Sequence, residues 1–147
     1  MSEVSTSTIL IDAPLEDVRA ILFDLAAYPT WSTAIKSAEV KESDDQGRAT
    51  SVKVSIDAGM MKDRVLLNYD WSKAPERLEF SLEDADLLTA MNGAFVTKAI
   101  DADTTSVTYE LGVEVSLPIP SMMRTKAEKA TIDQALTQLK EHAETQI

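Results

Sequence analysis

An α+β domain is what these 147 residues predict: seven antiparallel strands curved around one long C-terminal helix, with two short helices between strands one and two. Three observations predict it. Residues 121–147 carry the one long uninterrupted helical pattern. From Ile35 to Leu117, apolar and polar residues alternate between short polar turns. Each alternating segment has one apolar face, as in a sheet packed on one side and solvated on the other.

The chain opens on VSTSTILI, residues 4–11, rich in the β-branched residues that strands favour. Asp12, Ala13 and Pro14 break that strand. Asp12 or Ala13 is placed to cap a helix, with Pro14 at its first position. Val18, Ile21, Leu22 and Leu25 then repeat at helical spacing, which predicts a helix over about 15–25. Ala26 to Pro29 ends it, and Thr30-Trp31 begins a brief second helix reaching Ala34.

Strands follow at 36–42, 49–56, 62–71, 78–82, 88–100 and 105–117, joined by turns such as Asp44-Asp45-Gln46-Gly47. Such short turns impose antiparallel pairing. A polar corner, Glu83–Asp86, separates the fourth and fifth of these. After Pro118 and Pro120, Ser121 is a good N-cap for the last helix. Ile132, Ala135, Leu136, Leu139 and Ala143 share one narrow face, with Lys and Glu filling most of the rest. Toward the N-terminus the same face carries Thr125 and Glu128, with Met122 at its edge. The second half therefore reads as core. The first half reads as the roof of something less dry, where function is to be sought.

Composition narrows the chemistry. With 44% hydrophobic residues the chain can build a core as a single domain over 1–147. A net charge of −11 argues against nucleic acid and anionic membrane surfaces. No run is apolar and long enough for stable membrane insertion. MSEVSTSTILIDAP lacks the basic-then-apolar order of a secretory leader, and the chain has no cysteine. Both predict a cytoplasmic protein without disulfides. One histidine excludes a histidine-rich metal site, and four glycines leave little for a phosphate cradle. No metal or cofactor is expected, and the residues specify no oligomeric state.

The motifs carry a resemblance. Ile9-Leu10-Ile11-Asp12-Ala13-Pro14 with Val18, then Tyr28-Pro29-Thr30-Trp31, resembles the opening of the START-related superfamily, which also holds the birch-pollen-allergen-like proteins. Met91-Asn92-Gly93 with Phe95 is similar to its late glycine-x-aromatic strand. Thr104 to Leu111 is similar to its T-x-V-x-Y-x-L strand, and Leu139-Lys140 to its final helix. Within the superfamily the chain most resembles the polyketide cyclase/dehydrase and coenzyme Q-binding branch, associated with lipid transport. The resemblance implies a helix-grip fold, a seven-stranded sheet gripping the long helix around a hydrophobic cavity. Members include carriers, cyclases, hydrolases and chaperone cofactors, so the fold leaves function open.

In such a cavity the apolar strand faces would form the wall. Val54, Ile56, Val65, Leu67, Tyr69 and Leu78 come from its first strands, and Phe80, Met91, Phe95 and Val113 from the later ones. Ile132 and Leu136 would be the helix's share. The alternative is that these residues simply fill the core. Met60 and Met61 follow a hairpin turn, and Met122 and Met123 start the long helix; in a helix-grip fold both pairs would lie at the mouth, as adaptable apolar contacts. Thr125 and Glu128 would add polarity. Glu128 is the one carboxylate placed to face the cavity, and pairing with Arg124 or Arg64 is its alternative.

Two functions follow. The first is a non-enzymatic binder of a lipophilic small molecule: a lipid, an isoprenoid or quinone, or a polyketide-like aromatic. The second is a polyketide aromatase/cyclase or dehydrase using Glu128 with Tyr69 or Tyr109 as acid/base groups. The first predicts that replacing Glu128 or Thr125 alters ligand preference more than stability. A protein-interaction module is disfavoured, because Lys53, Asn68 and Glu110 on the outer face read as solvated.

Overall fold

The computed structural model describes residues 4–57, 62–116 and 119–145. Strand β1 (Ser5–Ile11) leads to helix α1 (Leu15–Phe23) and a 3₁₀ helix (Leu25–Thr30). A meander follows: β2 (Ile35–Ser43), β3 (Ala49–Asp57), β4 (Lys62–Asp70), β5 (Arg77–Ala85), β6 (Leu88–Asp101) and β7 (Thr104–Val115). Helix α2 (Ser121–Thr145) closes the chain. All seven strands form one antiparallel sheet in the order β1-β7-β6-β5-β4-β3-β2. β1 and β2 are thus its two edges, and α1 with the 3₁₀ helix carries the chain from one edge to the other. Register shifts interrupt the β2–β3, β4–β5 and β6–β7 ladders. Such bulges bend strands and raise their twist, which suits a sheet that curves around a helix.

Local differences from the sequence expectation have local causes. Pro14 is extended (φ −62°, ψ 151°) and caps α1, so the helix begins one residue later than its proline suggested. The Pro14 carbonyl accepts from Asp17 N and Val18 N. α1 stops at Phe23, and the expected break at Ala26–Pro29 is itself the 3₁₀ helix. Buried Tyr28 anchors it by donating from its hydroxyl to the Leu22 carbonyl at 2.6 Å. In α2 it is Pro120 whose carbonyl accepts from Met123 N and Arg124 N, so Ser121 lies inside the helix.

The core is continuous. Ile11, Val18, Leu22, Val107, Leu111, Ile132 and Leu139 are fully or almost fully buried. α2 packs chiefly on β1 and β7, at one side of the sheet. Its stripe Glu128, Ile132, Leu136, Leu139 and Ala143 is buried there.

Gly93 explains why a glycine precedes the aromatic on β6. A Cβ at that position would overlap the Glu110 carbonyl oxygen on β7 and stand 2.6 Å from Phe80 Cζ. Only hydrogen lets the Phe80 ring cross β6 while the β6–β7 ladder stays closed. Gly93→Ala should therefore cost about 3 kcal/mol, at the upper end for overpacking because one neighbour is backbone. Urea unfolding measures it, and an unchanged midpoint would contradict this role.

Candidate ligand cavity

Because α2 leans toward β1 and β7, the concave face above β2 to β5 is left to other groups. The 3₁₀ helix and residues 31–34 cover it from one side, and the flank of α2 from the other. Between them lies a cavity of about 60 Å³. Its floor includes Val52, Val54 and Ile56 of β3, Leu67 and Tyr69 of β4, and Phe80 of β5. Met91, Phe95 and Tyr109 continue it across β6 and β7, and Leu25, Tyr28, Trp31, Ile35 and Ala38 close the near wall. Thr131, Gln134, Ala135 and Gln138 form the roof. Among the described residues, none of the lining side chains is charged.

Six aromatic side chains contribute to the walls. Phe95 and Tyr109 stack with centroids 4.3 Å apart, Tyr28 and Trp31 approach to 4.9 Å, and Tyr69 and Phe80 to 5.6 Å. Burial pushes the Tyr69 and Tyr109 phenols well above their ordinary range, so both stay protonated. One seam between wall and roof is polar. Thr33 N donates to Gln138 Oε1 at 3.0 Å, and Nε2 of Gln138 and Gln134 donate to Thr33 Oγ1 at 2.8 and 3.3 Å. All three residues of this latch reach solvent.

The structure brings together at the cavity Val54, Ile56, Leu67, Tyr69, Phe80, Met91, Phe95 and Tyr109 from the strands. It sets the other expected residues apart. Val65, Leu78 and Val113 are buried in the core but do not line the cavity. Ile132 and Leu136 face β1 and β7 instead, because that is where α2 rests. Met122, 82% exposed, and Met123 point outward from the first turn of α2, and Thr125 is exposed too. Met60 and Met61 lie outside the described residues.

Glu128 departs most from expectation. It is 3% exposed and paired with neither Arg124 nor Arg64. Ser5 Oγ donates to its Oε1 at 2.8 Å, and Val113 N donates to its Oε2 at 2.7 Å. Both oxygens therefore tie α2 to β1 and β7, and the residue does not border the cavity. The cavity lies under residues 131–138 of α2, which overlap the half expected to be core. The missed signal was in the sequence, since Thr131, Gln134, Ala135 and Gln138 are an uncharged strip at helical spacing on an otherwise charged surface.

Among the described residues no group of three or more His, Cys, Asp or Glu side chains is placed to hold a metal ion. None of the described helices is long and apolar enough to cross a membrane.

Solved structures share this architecture. A START superfamily protein from Mycobacterium smegmatis is 22% identical, with a TM-score of 0.93 over 99% of each chain. A protein from Thermus thermophilus is 22% identical, with a TM-score of 0.78 over 97% of each. The Zhui aromatase/cyclase from Streptomyces sp. R1128 is 16% identical, with a TM-score of 0.75 over 98% of this chain and 94% of that one. At such identities the likeness establishes the START-like fold. A comparison with curated proteins returns no match. The model of one family, described as polyketide cyclase / dehydrase and lipid transport, matches residues 2–144. With nearly the whole length matched and the helix-grip sheet and helix in place, this chain belongs to the polyketide cyclase / dehydrase and lipid transport family.

Proposed function

We propose that this protein binds a lipophilic small molecule between its sheet and α2, as a carrier or sequestering protein. The observation that carries this reading is the lining itself, which among the described residues is chiefly aliphatic and aromatic, with a few neutral polar groups at the roof and no charged side chain. Burial of apolar ligand surface supplies about 25 cal/mol per Å² before the costs of ordering. The cyclase or dehydrase alternative lacks its acid/base group, because both oxygens of Glu128 are engaged by Ser5 and Val113.

The 60 Å³ of the cavity is well below the roughly 300–1,000 Å³ of pockets that enclose a drug-sized ligand. Uptake therefore requires widening, and the Thr33–Gln134–Gln138 latch is a seam where wall and roof can part. Those hydrogen bonds are exposed, so water replaces them when they part.

Native mass spectrometry and solvent extraction of the purified protein test the reading, together with uptake of a fluorescent lipid and a quinone. A bound or captured apolar molecule is expected. Ala135→Phe, which puts a ring into the roof, should weaken uptake about tenfold or more, given the sensitivity of close-packed sites to added volume. A protein that carries no apolar ligand and takes up neither probe would refute it.

A further inference from the structure

The start of α2 turns apolar and basic side chains toward solvent. Successive helical residues are about 100° apart, so Met122, Met123, Lys126 and Ala130 lie opposite Glu128 and Ile132, which hold the helix to the sheet. All four are exposed. Met122 is 82% exposed, Met123 52% and Ile119, just ahead of the helix, 44%. Among the described residues eight large hydrophobic side chains are exposed, and three of them fall within residues 119–123. Scattered apolar side chains are ordinary on a surface, whereas a cluster marks a contact.

The charge of this face is opposite to that of the molecule. Residues 119–130 hold Arg124, Lys126 and Lys129, and their one acid, Glu128, is buried against Ser5 and Val113. The chain as a whole carries −11. Elsewhere cations are matched: Lys41, Arg48, Lys62, Arg64, Arg77 and Lys140 each pair with a carboxylate. Among the described residues no carboxylate pairs with Arg124, Lys126 or Lys129. The Arg124 Nε has no acceptor, and Lys129 Nζ reaches the Thr6 carbonyl at 3.4 Å.

Apolar tips beside unpaired cations fit a bilayer with anionic headgroups. Methionine and isoleucine side chains enter the acyl boundary while lysine stems reach up to phosphate. Screening confines charge effects to about 8 Å at physiological ionic strength. The face in contact therefore decides attraction, and the acidic remainder of the surface orients the molecule with this end toward the lipid. A second copy fits less well, because two-fold pairing of the face sets Lys126 against Lys126. The phosphate backbone of a nucleic acid offers nothing to Met122 and Met123.

We infer that residues 119–129 form a peripheral docking face for anionic lipid bilayers. Ile119, Met122 and Met123 enter the interface, Lys126 and Lys129 meet headgroup phosphates, and Arg124 adds to the local positive charge. The face is separate from the cavity, whose share of α2 begins at Thr131, and docking does not require a bound ligand.

Co-sedimentation of the full chain with vesicles tests it, using phosphatidylcholine alone and phosphatidylcholine with roughly 30% phosphatidylglycerol. The anionic vesicles should bind about tenfold or more tightly, and about 0.5 M NaCl should remove most of that difference. Met122→Ser/Met123→Ser should weaken binding about tenfold, and Lys126→Gln/Lys129→Gln should do the same to about tenfold. All four side chains are exposed, so Tm should not move in either variant. Leu10→Ser, at another exposed hydrophobic, should bind like the parent. Equal binding to both vesicles, binding to neither, or double variants that bind like the parent overturns the inference. So does a parent chain that is dimeric in analytical ultracentrifugation while Met122→Ser/Met123→Ser is monomeric, which assigns the face to self-contact. The cavity reading rests on ligand uptake and survives each of these outcomes.

Discussion

Glu128→Ala should destabilise the protein by about 3 kcal/mol and leave ligand uptake unchanged. The substitution strips the Ser5 hydroxyl and the Val113 N–H of their acceptor in a site that is 3% exposed at Glu128. Each orphaned group costs about 1–3 kcal/mol, and the vacated volume adds to that. In thermal unfolding the loss corresponds to a fall in Tm of roughly 10 °C for a chain of this size. Glu128→Gln should be milder, since its carbonyl oxygen still accepts from Val113 N and the Ser5 hydroxyl can turn to accept from the amide. The sequence alone suggested the opposite, ligand preference before stability. A Glu128→Ala variant with unchanged Tm and altered ligand selectivity would restore that first reading. The outcome also bears on mechanism, because an acid/base role for Glu128 needs an oxygen free to meet a substrate.

Asp63→Asn should cost about 3 kcal/mol and flatten the acid side of the stability profile. The Asp63 carboxylate organises the corner between β5 and β6. Its Oδ1 accepts from Arg64 N at 2.8 Å and Asp86 N at 3.0 Å, and its Oδ2 from Leu87 N at 3.0 Å and Leu88 N at 2.8 Å. Burial by itself would raise its pKa, but the four N–H donors together outweigh that and hold the carboxyl below the usual carboxylate range. An asparagine keeps one acceptor and turns an NH₂ toward two of those N–H groups, leaving both unpaired. Hydrogen bonds to an ionised group contribute about 1.5–3 kcal/mol, which sets the magnitude. The sign of the pH effect follows from the lowered pKa. The stabilisation is fully present above the unfolded value of about 3.9 and disappears as pH falls through the lower folded value. Urea unfolding midpoints at a series of pH values, from neutral to about 3, should show a smaller acid loss in Asp63→Asn than in the parent. Parallel profiles for the two proteins would remove Asp63 from this role.

The partners of both residues were hidden from sequence reasoning for the same physical reason. Asp63 sits in the β-period of its strand, on the face with Val65 and Leu67, where a carboxylate looks misplaced until residues 86–88 arrive to donate to it. Glu128 was recognised as inward-facing from its helical spacing, and it is. What it faces was beyond reach, because its partners lie 123 residues before it in one case and 15 in the other.

What the sequence determined by itself is everything that follows from local periodicity. The alternation of Val52, Val54 and Ile56, or of Val107, Tyr109 and Leu111, defines strands with one buried face, and short polar turns allow only antiparallel neighbours. Ile132, Leu136 and Leu139 define the buried stripe of α2 in the same way. Element order then leaves the long helix as the cover of the sheet, so fold class and the order of elements along the chain were legible. The tertiary structure alone decided where that helix comes to rest. Because α2 packs toward β1 and β7, its stripe becomes core, its flank of Thr131, Gln134, Ala135 and Gln138 overlooks the cavity, and Trp31 completes the opposite wall. Periodicity fixes which residues share a face. It does not fix the lateral position of a helix on a sheet, which is set by the packing of side chains far apart in the chain.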